Sequence, residues 1–277
     1  MRFVPLLLLW VGVVFAFSTD APRKKDIDLP SEMYLFAWPL VMTYLTRQSM
    51  FYCPDNIMMP MPVFPNPNVT AIVKPNVDTL YDACWINHQK ADDLILTIPD
   101  TTNGLYFLFP LMDAWTNVVD CPGWRTTGKA ETTVLIRGPN STTEPAEGEF
   151  DMVIDSPTAM AYLLGRTNVE DQNNLLPTQQ QLFSYDLDHT RLVGATSLSP
   201  GGFAKERGGR GGRPLGKTNP VDQIFSLSPE EYFNTFATLM VTNPPLMPQD
   251  AVMVAAMQAQ YGLTAGEACE GWQFMFD

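Results

Sequence analysis

The chain has only two histidines, His88 and His189, and four cysteines among 277 residues. It contains no GxSxG elbow, and neither histidine falls in the polar motifs described below. A Ser-His-Asp hydrolase would lack both its nucleophile turn and its base. No P-loop and no GxGxxG fingerprint occurs, so a nucleotide has no phosphate cradle. Cys53, Cys84, Cys121 and Cys269 form no CxxC pair and no metal-ligand spacing. Asp186, Asp188 and His189 stand close together, but neighbouring loop carboxylates are ordinarily solvated. Neither a metal nor another cofactor is expected.

Basic residues are scarce. Seventeen Lys and Arg face 30 Asp and Glu, a net charge of −13. Such a chain repels phosphate backbones and anionic membranes, so nucleic acid is excluded as a partner. The Gly-rich basic run Arg207 to Arg213 reads as an exposed, flexible and protease-sensitive loop rather than an RNA contact. There is no internal repeat, and no segment after the first residues is long and apolar enough to span a bilayer.

The exception is at the start. Phe3 to Phe17 is almost wholly apolar behind Arg2, and Val14-Phe15-Ala16 offers a small-residue cleavage site. Residues 1–16 read as a secretory signal peptide and 17–30 as a leader linker. The run is shorter than the roughly 20 residues a bilayer-spanning helix needs. Secretion, or residence in a secretory lumen with no further membrane contact, is the expectation. An uncleaved anchor held by Arg23-Lys24-Lys25 is the alternative. Asn68-Val69-Thr70 and Asn140-Ser141-Thr142 are sequons for glycans. Four cysteines in an exported chain allow two disulfides in three connectivities, or buried free thiols.

Residues 31–262 read as one β-rich domain. Asp28-Leu29-Pro30-Ser31 opens a helix that is apolar on every side, with Pro39 expected to kink or interrupt it. Arg47 to Pro67, dense in Met and Pro, reads as extended coil. Strands are expected over Ala71–Lys74, Leu80–Ile86, Leu94–Ile98, Leu105–Phe109, Thr132–Arg137 and Phe150–Ile154. Thr102-Asn103-Gly104 signals a hairpin between the third and fourth of these. A short helix follows Pro177, and Gly194 to Pro220 reads as a long loop. Ser228-Pro229-Glu230-Glu231 is a capping box for a helix stopped before Pro244-Pro245. Asp250 is expected to cap a last helix that ends at Gly262. The fold class is α+β: a β-rich sandwich or jelly-roll-like domain with flanking helices at both ends.

Three polar segments on an aromatic background supply the site candidates. They are Pro75-Asn76-Val77-Asp78-Thr79-Leu80-Tyr81, Leu111-Met112-Asp113-Ala114-Trp115-Thr116-Asn117 and Gly123-Trp124-Arg125-Thr126-Thr127-Gly128. Carboxylates among aromatics need partners. One pocket is therefore expected from Asp78, Asp113 and Arg125, oriented by Asn76, Tyr81 and Asn117. Arg166 reaches the same pocket or pairs with Glu170 or Asp171. A carboxylate pair with an Arg suits binding of a small molecule, or hydrolysis by general acid–base catalysis. The bland reading stays open: Asp and Asn beside Pro or Gly tie turns to their own backbone, and the network only stabilises the fold. Trp85, Trp115, Trp124, Tyr81 and Tyr106 form either a sugar-stacking platform or plain core.

These segments, together with Met33-Tyr34-Leu35-Phe36-Ala37-Trp38-Pro39-Leu40-Val41, Leu163-Leu164-Gly165-Arg166-Thr167 and Thr242-Asn243-Pro244-Pro245, resemble the domain of unknown function 1254 (DUF1254) family. The resemblance covers about Glu32 to Gly262. It implies a fold more than a chemistry. Such proteins usually carry a second, strand-rich C-terminal module (DUF1214-like), and residues 263–277 read as the start of that missing region. Either the product is truncated or it works with one module. A C-terminal module or a second copy of the chain is then the expected protein partner.

Overall fold

A computed structural model describes residues 28–50, 53–64, 76–102, 104–188 and 219–267. The apolar leader, Asn68, the strand expected over Ala71–Lys74, His189, the basic loop and Cys269 lie outside these residues.

The first helix, α1, spans Leu29–Ser49. The Asp28 carboxylate caps it by accepting from the Ser31 N–H at 2.9 Å, and Pro30 occupies the first turn, where no N–H is needed. Pro39 does not interrupt the helix. Pro39 removes the bond to the carbonyl of Leu35, and Leu35 is 58% exposed, so water can replace it. Met33, Ala37, Leu40, Val41 and Leu45 form the buried stripe at helical spacing.

That stripe packs on α4, Pro229–Met240, through Tyr232, Phe233, Phe236 and Met240. The capping box at the start of α4 forms as its spacing predicts: the Ser228 hydroxyl accepts from the Glu231 N–H, and the Glu231 carboxylate accepts from the Ser228 N–H. Helix α3, Pro220–Ser226, occupies the end of what reads as loop and also packs on α1. Helix α5, Asp250–Tyr261, ends at Gly262, whose φ of 65° favours glycine. Its N-cap is Gln249 rather than Asp250, and the Asp250 carboxylate accepts from the Met247 N–H just upstream. None of the described helices is long and apolar enough to cross a membrane.

Two sheets face each other. The six-stranded sheet contains β1 (Met59–Met61), β2 (Thr79–Asn87), β9 (Met160–Asn168), β5 (Leu111–Asp113) and β6 (Val118–Asp120), with β4 (Phe107–Leu108) also paired to β9. The four-stranded sheet orders β10 (Asp186–Asp188), β3 (Asp93–Ile98), β7 (Thr132–Arg137) and β8 (Met152–Asp155). Cys84, Ile86, Phe109, Leu111 and Leu163 from the first meet Leu94, Leu96, Ile98, Val134 and Ile136 from the second in one core. The architecture is α+β with a sheet-rich centre and helices at both ends.

The expected hairpin between β3 and β4 does not form. β3 pairs with β7 and β10, whereas β4 pairs with β9 in the other sheet. Both segments point apolar residues at the same core, so the chain crosses from one sheet to the other. The Met- and Pro-rich stretch contributes the edge strand β1, where Pro60 needs no ladder donor. A short helix α2, Leu176–Leu182, sits where Pro177 signals it. Cys53, Cys84 and Cys121 are free thiols.

Candidate functional site

A concavity lies where the helical layer meets one end of the six-stranded sheet. It holds about 350 Å³ between α1, the end of α4 and the β2–β9 pair. Tyr44 and Arg47 line it from α1, Asn87 and Gln89 from the end of β2, and Thr242 and Asn243 from beyond α4, with Met160 and Leu239 as apolar floor. Asn243 sets this geometry. Its Oδ1 accepts from the Met160 N–H at 2.8 Å, and its carbonyl accepts from Trp115 Nε1 at 3.1 Å. Those bonds clasp the helical layer to the sheet.

Two lining residues, Arg47 and Asn87, are held from behind by an ion-pair network. Arg47 Nε and Nη2 donate to Asp55 Oδ1 at 3.0 and 2.5 Å, Lys90 Nζ lies 2.8 Å from Asp55 Oδ2, and Asn87 Nδ2 donates to the same oxygen at 3.0 Å. Burial alone would raise the Asp55 pKa. The hydrogen bonds from Arg47, Lys90 and Asn87, with the charge of Arg47, outweigh burial and hold it at about 2. Arg47 Nη1, the Tyr44 hydroxyl and the Gln89 amide make no hydrogen bond among the described residues and are free to meet a ligand. The lining contains no Asp, Glu, His, Cys or Ser.

The residues singled out by sequence lie elsewhere, and they separate. Asp113 is 1% exposed, yet its carboxylate accepts from the N–H groups of Trp115 (2.8 Å) and Asn117 (2.9 Å) and from Asn117 Nδ2 (2.9 Å). It closes the β5–β6 turn. Asp78 is exposed at the opening of β2, where its N–H donates to Asn76 Oδ1 and its carbonyl accepts from Val169. In the strand register Thr79 pairs with Asn168, while Asp113 pairs with Ala161. Asp78, level with Val169, thus stands eight positions from Asp113 along β9, roughly 26 Å at ~3.3 Å per residue. Arg125 is exposed and lies 5.9 Å from the Tyr106 ring. The single pocket expected from Asp78, Asp113 and Arg125 is therefore not formed, because local backbone groups occupy the carboxylate of Asp113 and the turn beside Asp78.

Tyr81, Arg166 and Asn76 do meet. Tyr81 and Arg166 are directly opposed across β2 and β9, with the guanidinium carbon 5.8 Å from the ring centroid. The Tyr81 hydroxyl accepts from the Asn76 N–H at 2.7 Å. The aromatic platform does not assemble. Trp85 is buried against Tyr162, Trp115 packs on Phe36 and Phe236, and Trp124 contacts Tyr106. His88 is buried, with Nδ1 2.8 Å from the Asp92 carbonyl. Among the described residues no group of three or more His, Cys, Asp or Glu is placed to hold a metal.

Residues 56–185 match the model of a family described as "Protein of unknown function (DUF1254)". This stretch of the chain belongs to the DUF1254 family. Its fold is similar to that of the VPA0106 protein from Vibrio parahaemolyticus, with a TM-score of 0.61 and 15% identity over 90% of this chain and 55% of that one. The likeness shows the fold alone, and the chain spans about half the length of that protein. An uncharacterized protein from Burkholderia cenocepacia matches at 14% identity over 60% of this chain and 50% of that one, but its TM-score of 0.26 carries no argument. No curated protein matches.

Within the DUF1254 region one group escapes the sequence reading. Asp82 is fully buried, and neither carboxylate oxygen has a hydrogen-bond partner. It shares the inward face of β2 with Leu80, Cys84 and Ile86. Burial pushes its pKa up to about 8, so it is mainly protonated at neutral pH. The only signal was its parity: Asp82 stands in step with the apolar Leu80, Cys84 and Ile86. Arg47 and Asp55 were missed for a different reason, since nothing in the linear order of α1 and the coil after it says that they touch.

Proposed function

We propose that this chain is an exported domain that binds a small neutral polar molecule in the cavity between α1, α4 and the β2–β9 pair. The observation that carries this reading is a cavity of about 350 Å³ lined by Arg47, which Asp55 holds fixed from behind. That volume falls within the ~300–1,000 Å³ typical of small-ligand sites. Asp55 already answers the charge of Arg47, so Nη1 is offered as a directional donor rather than as an unpaired cation. Tyr44, Gln89 and Thr242 add neutral hydroxyl and amide groups. A hydroxylated or amide-bearing ligand suits that set.

Binding is favoured over hydrolysis. A general acid or base needs a pKa near the working pH. Asp55, held at about 2 and bonded on both oxygens, does not meet that requirement. The apolar leader behind Arg2 supports export, with an N-terminal anchor as the alternative, and the exposed turn at Asn140 leaves that sequon reachable by a glycan. A purely structural role is the competing reading. The closed turn around Asp113 favours it for that network, since every bond there returns to the protein.

The test is a thermal-shift and calorimetric screen of neutral sugars, polyols and amides against the wild type, Tyr44→Phe and Gln89→Ala. The expected result is a saturating ligand whose affinity falls at least tenfold in a variant of unchanged melting temperature. A screen with no saturating ligand, or a ligand indifferent to both substitutions, would leave the structural role standing.

A further inference from the structure

Arg166 lies at the other end of β9 from this cavity. Its strand neighbours are Tyr81 on β2 and Leu108 on β4. Gly165 and Thr167 turn inward with Asp82 and Tyr185, so Arg166 projects from the opposite face, as Tyr162 and Leu164 do. The guanidinium is half-buried and lies against the Tyr81 ring. Its Nε is buried and has no hydrogen-bond acceptor. Among the described residues no carboxylate comes within 4.0 Å of it. The carboxylate of Asp120 is engaged by the Cys121 N–H at 2.7 Å. The Tyr81 hydroxyl accepts from Asn76 and keeps its own proton to donate.

The guanidinium thus lies beside the Tyr81 ring, and its Nε has no acceptor among the described residues. Leaving a buried charged donor unmade is unfavourable, and a planar guanidinium fork matches a carboxylate in two parallel hydrogen bonds. The overall charge of −13 selects among anions, because it repels a dianion or polyanion more than a monoanion. We propose that Arg166 and Tyr81 form a second binding site, independent of the cavity, for a small monoanionic carboxylate. Arg166 clamps the carboxylate, Tyr81 donates a third hydrogen bond and its ring holds the guanidinium in place.

Benzoate is a suitable probe, with benzamide as the neutral isostere and inorganic phosphate as the alternative anion. Each is titrated into the full chain at constant ionic strength and followed by calorimetry. Benzoate should saturate one site, benzamide should not compete, and phosphate should bind more weakly. Arg166→Gln should lose at least tenfold in affinity, Arg166→Lys several-fold, and Tyr81→Phe about threefold. The cavity variant Tyr44→Phe should bind benzoate as the wild type does, which separates this site from the first. Benzoate should also slow alkylation of Cys121 by iodoacetamide: burial raises the pKa of this half-buried thiol, the charge of Arg166 lowers it, and a bound carboxylate would cancel that lowering. That readout remains usable in Arg166→Lys if Arg166→Gln folds poorly. Absence of saturation, phosphate binding more tightly than benzoate, or full benzoate affinity in Arg166→Gln or in Arg166→Lys with no protection of Cys121 would each overturn the proposal.

Discussion

Arg47, in the last turn of α1, grips Asp55 eight residues further on, through Nε at 3.0 Å and Nη2 at 2.5 Å. The pair ties the helical layer to the sheet end and fixes Arg47 in the lining of the proposed cavity. Because the folded pKa of Asp55 is depressed to about 2, its contribution is present above the ordinary value of 3.8 and fades as pH falls from there towards 2. A shift of this size corresponds to about 2 kcal/mol. Asp55→Asn should therefore unfold at lower urea than the wild type above pH 5, with the gap closing near pH 2. A gap that persists unchanged in acid would mean that packing, not charge, is what the substitution removes.

Asp82 works in the opposite direction. Its folded pKa is raised to about 8, so its contribution is complete below the unfolded value of 3.8 and is lost as pH climbs towards 8. Across that window this one group should lower stability progressively as it is forced to ionise in the core. Asp82→Asn keeps the shape and removes the titration. Urea midpoints measured from pH 5 to pH 8.5 should fall steeply in the wild type and much less in the variant. Parallel slopes for the two proteins would show that Asp82 is solvated or paired in solution.

The contrast between these two acids shows what the linear order of residues reveals. Helix ends were legible because a cap is a local bargain: Asp28 with Ser31, and Ser228 with Glu231, lie three residues apart. Strands β2, β3 and β7 were legible because apolar residues concentrate over the right lengths. Pairing was not. The turn after β3 looks like a hairpin, yet its two arms join different sheets, a choice set by burial of Phe107 and Phe109 against Leu94 and Leu96. The site suffered most. Asp113 carries the marks of a pocket residue, but its hydrogen bonds close within four positions. Arg47 and Asp55 carry no mark at all. Of the expected cluster, Tyr81 meets Arg166 and Asn76, and Asp113 meets Asn117, but the β2–β9 register and the β5–β6 turn keep the two groups apart.

Gly165 is needed for close approach rather than for backbone freedom. A Cβ placed there would sit 2.5 Å from Cε1 of Phe109 and 3.0 Å from the Cβ of Asp82. Phe109 is itself fully buried and has nowhere to go. Gly165→Ala should destabilise the domain by about 1–3 kcal/mol, as overpacking does. Phe109→Leu creates space and costs stability alone, so the double variant should recover part of the sum. Strict additivity in a double-mutant cycle by urea denaturation would show that the two side chains do not compete for the same volume.

The β5–β6 turn separates the structural and ligand readings of Asp113. Its carboxylate satisfies two backbone N–H groups and one side-chain amide, so Asp113→Ala should lose about 1–3 kcal/mol by removing hydrogen bonds to a buried charged acceptor. Affinity for a cavity ligand or for benzoate, measured well below the new melting temperature, should not change. The same turn holds Thr116 at φ 68°, a left-handed conformation disfavoured for a β-branched residue. Thr116→Gly relieves that strain but loosens the unfolded chain, and Thr116→Asn relieves it with less loosening. Thr116→Asn should therefore stabilise by up to about 1 kcal/mol, and more than Thr116→Gly does. If Asp113→Ala instead abolished ligand binding at an unchanged melting temperature, the turn would be part of a site and Asp113 would have to face the ligand rather than its own backbone.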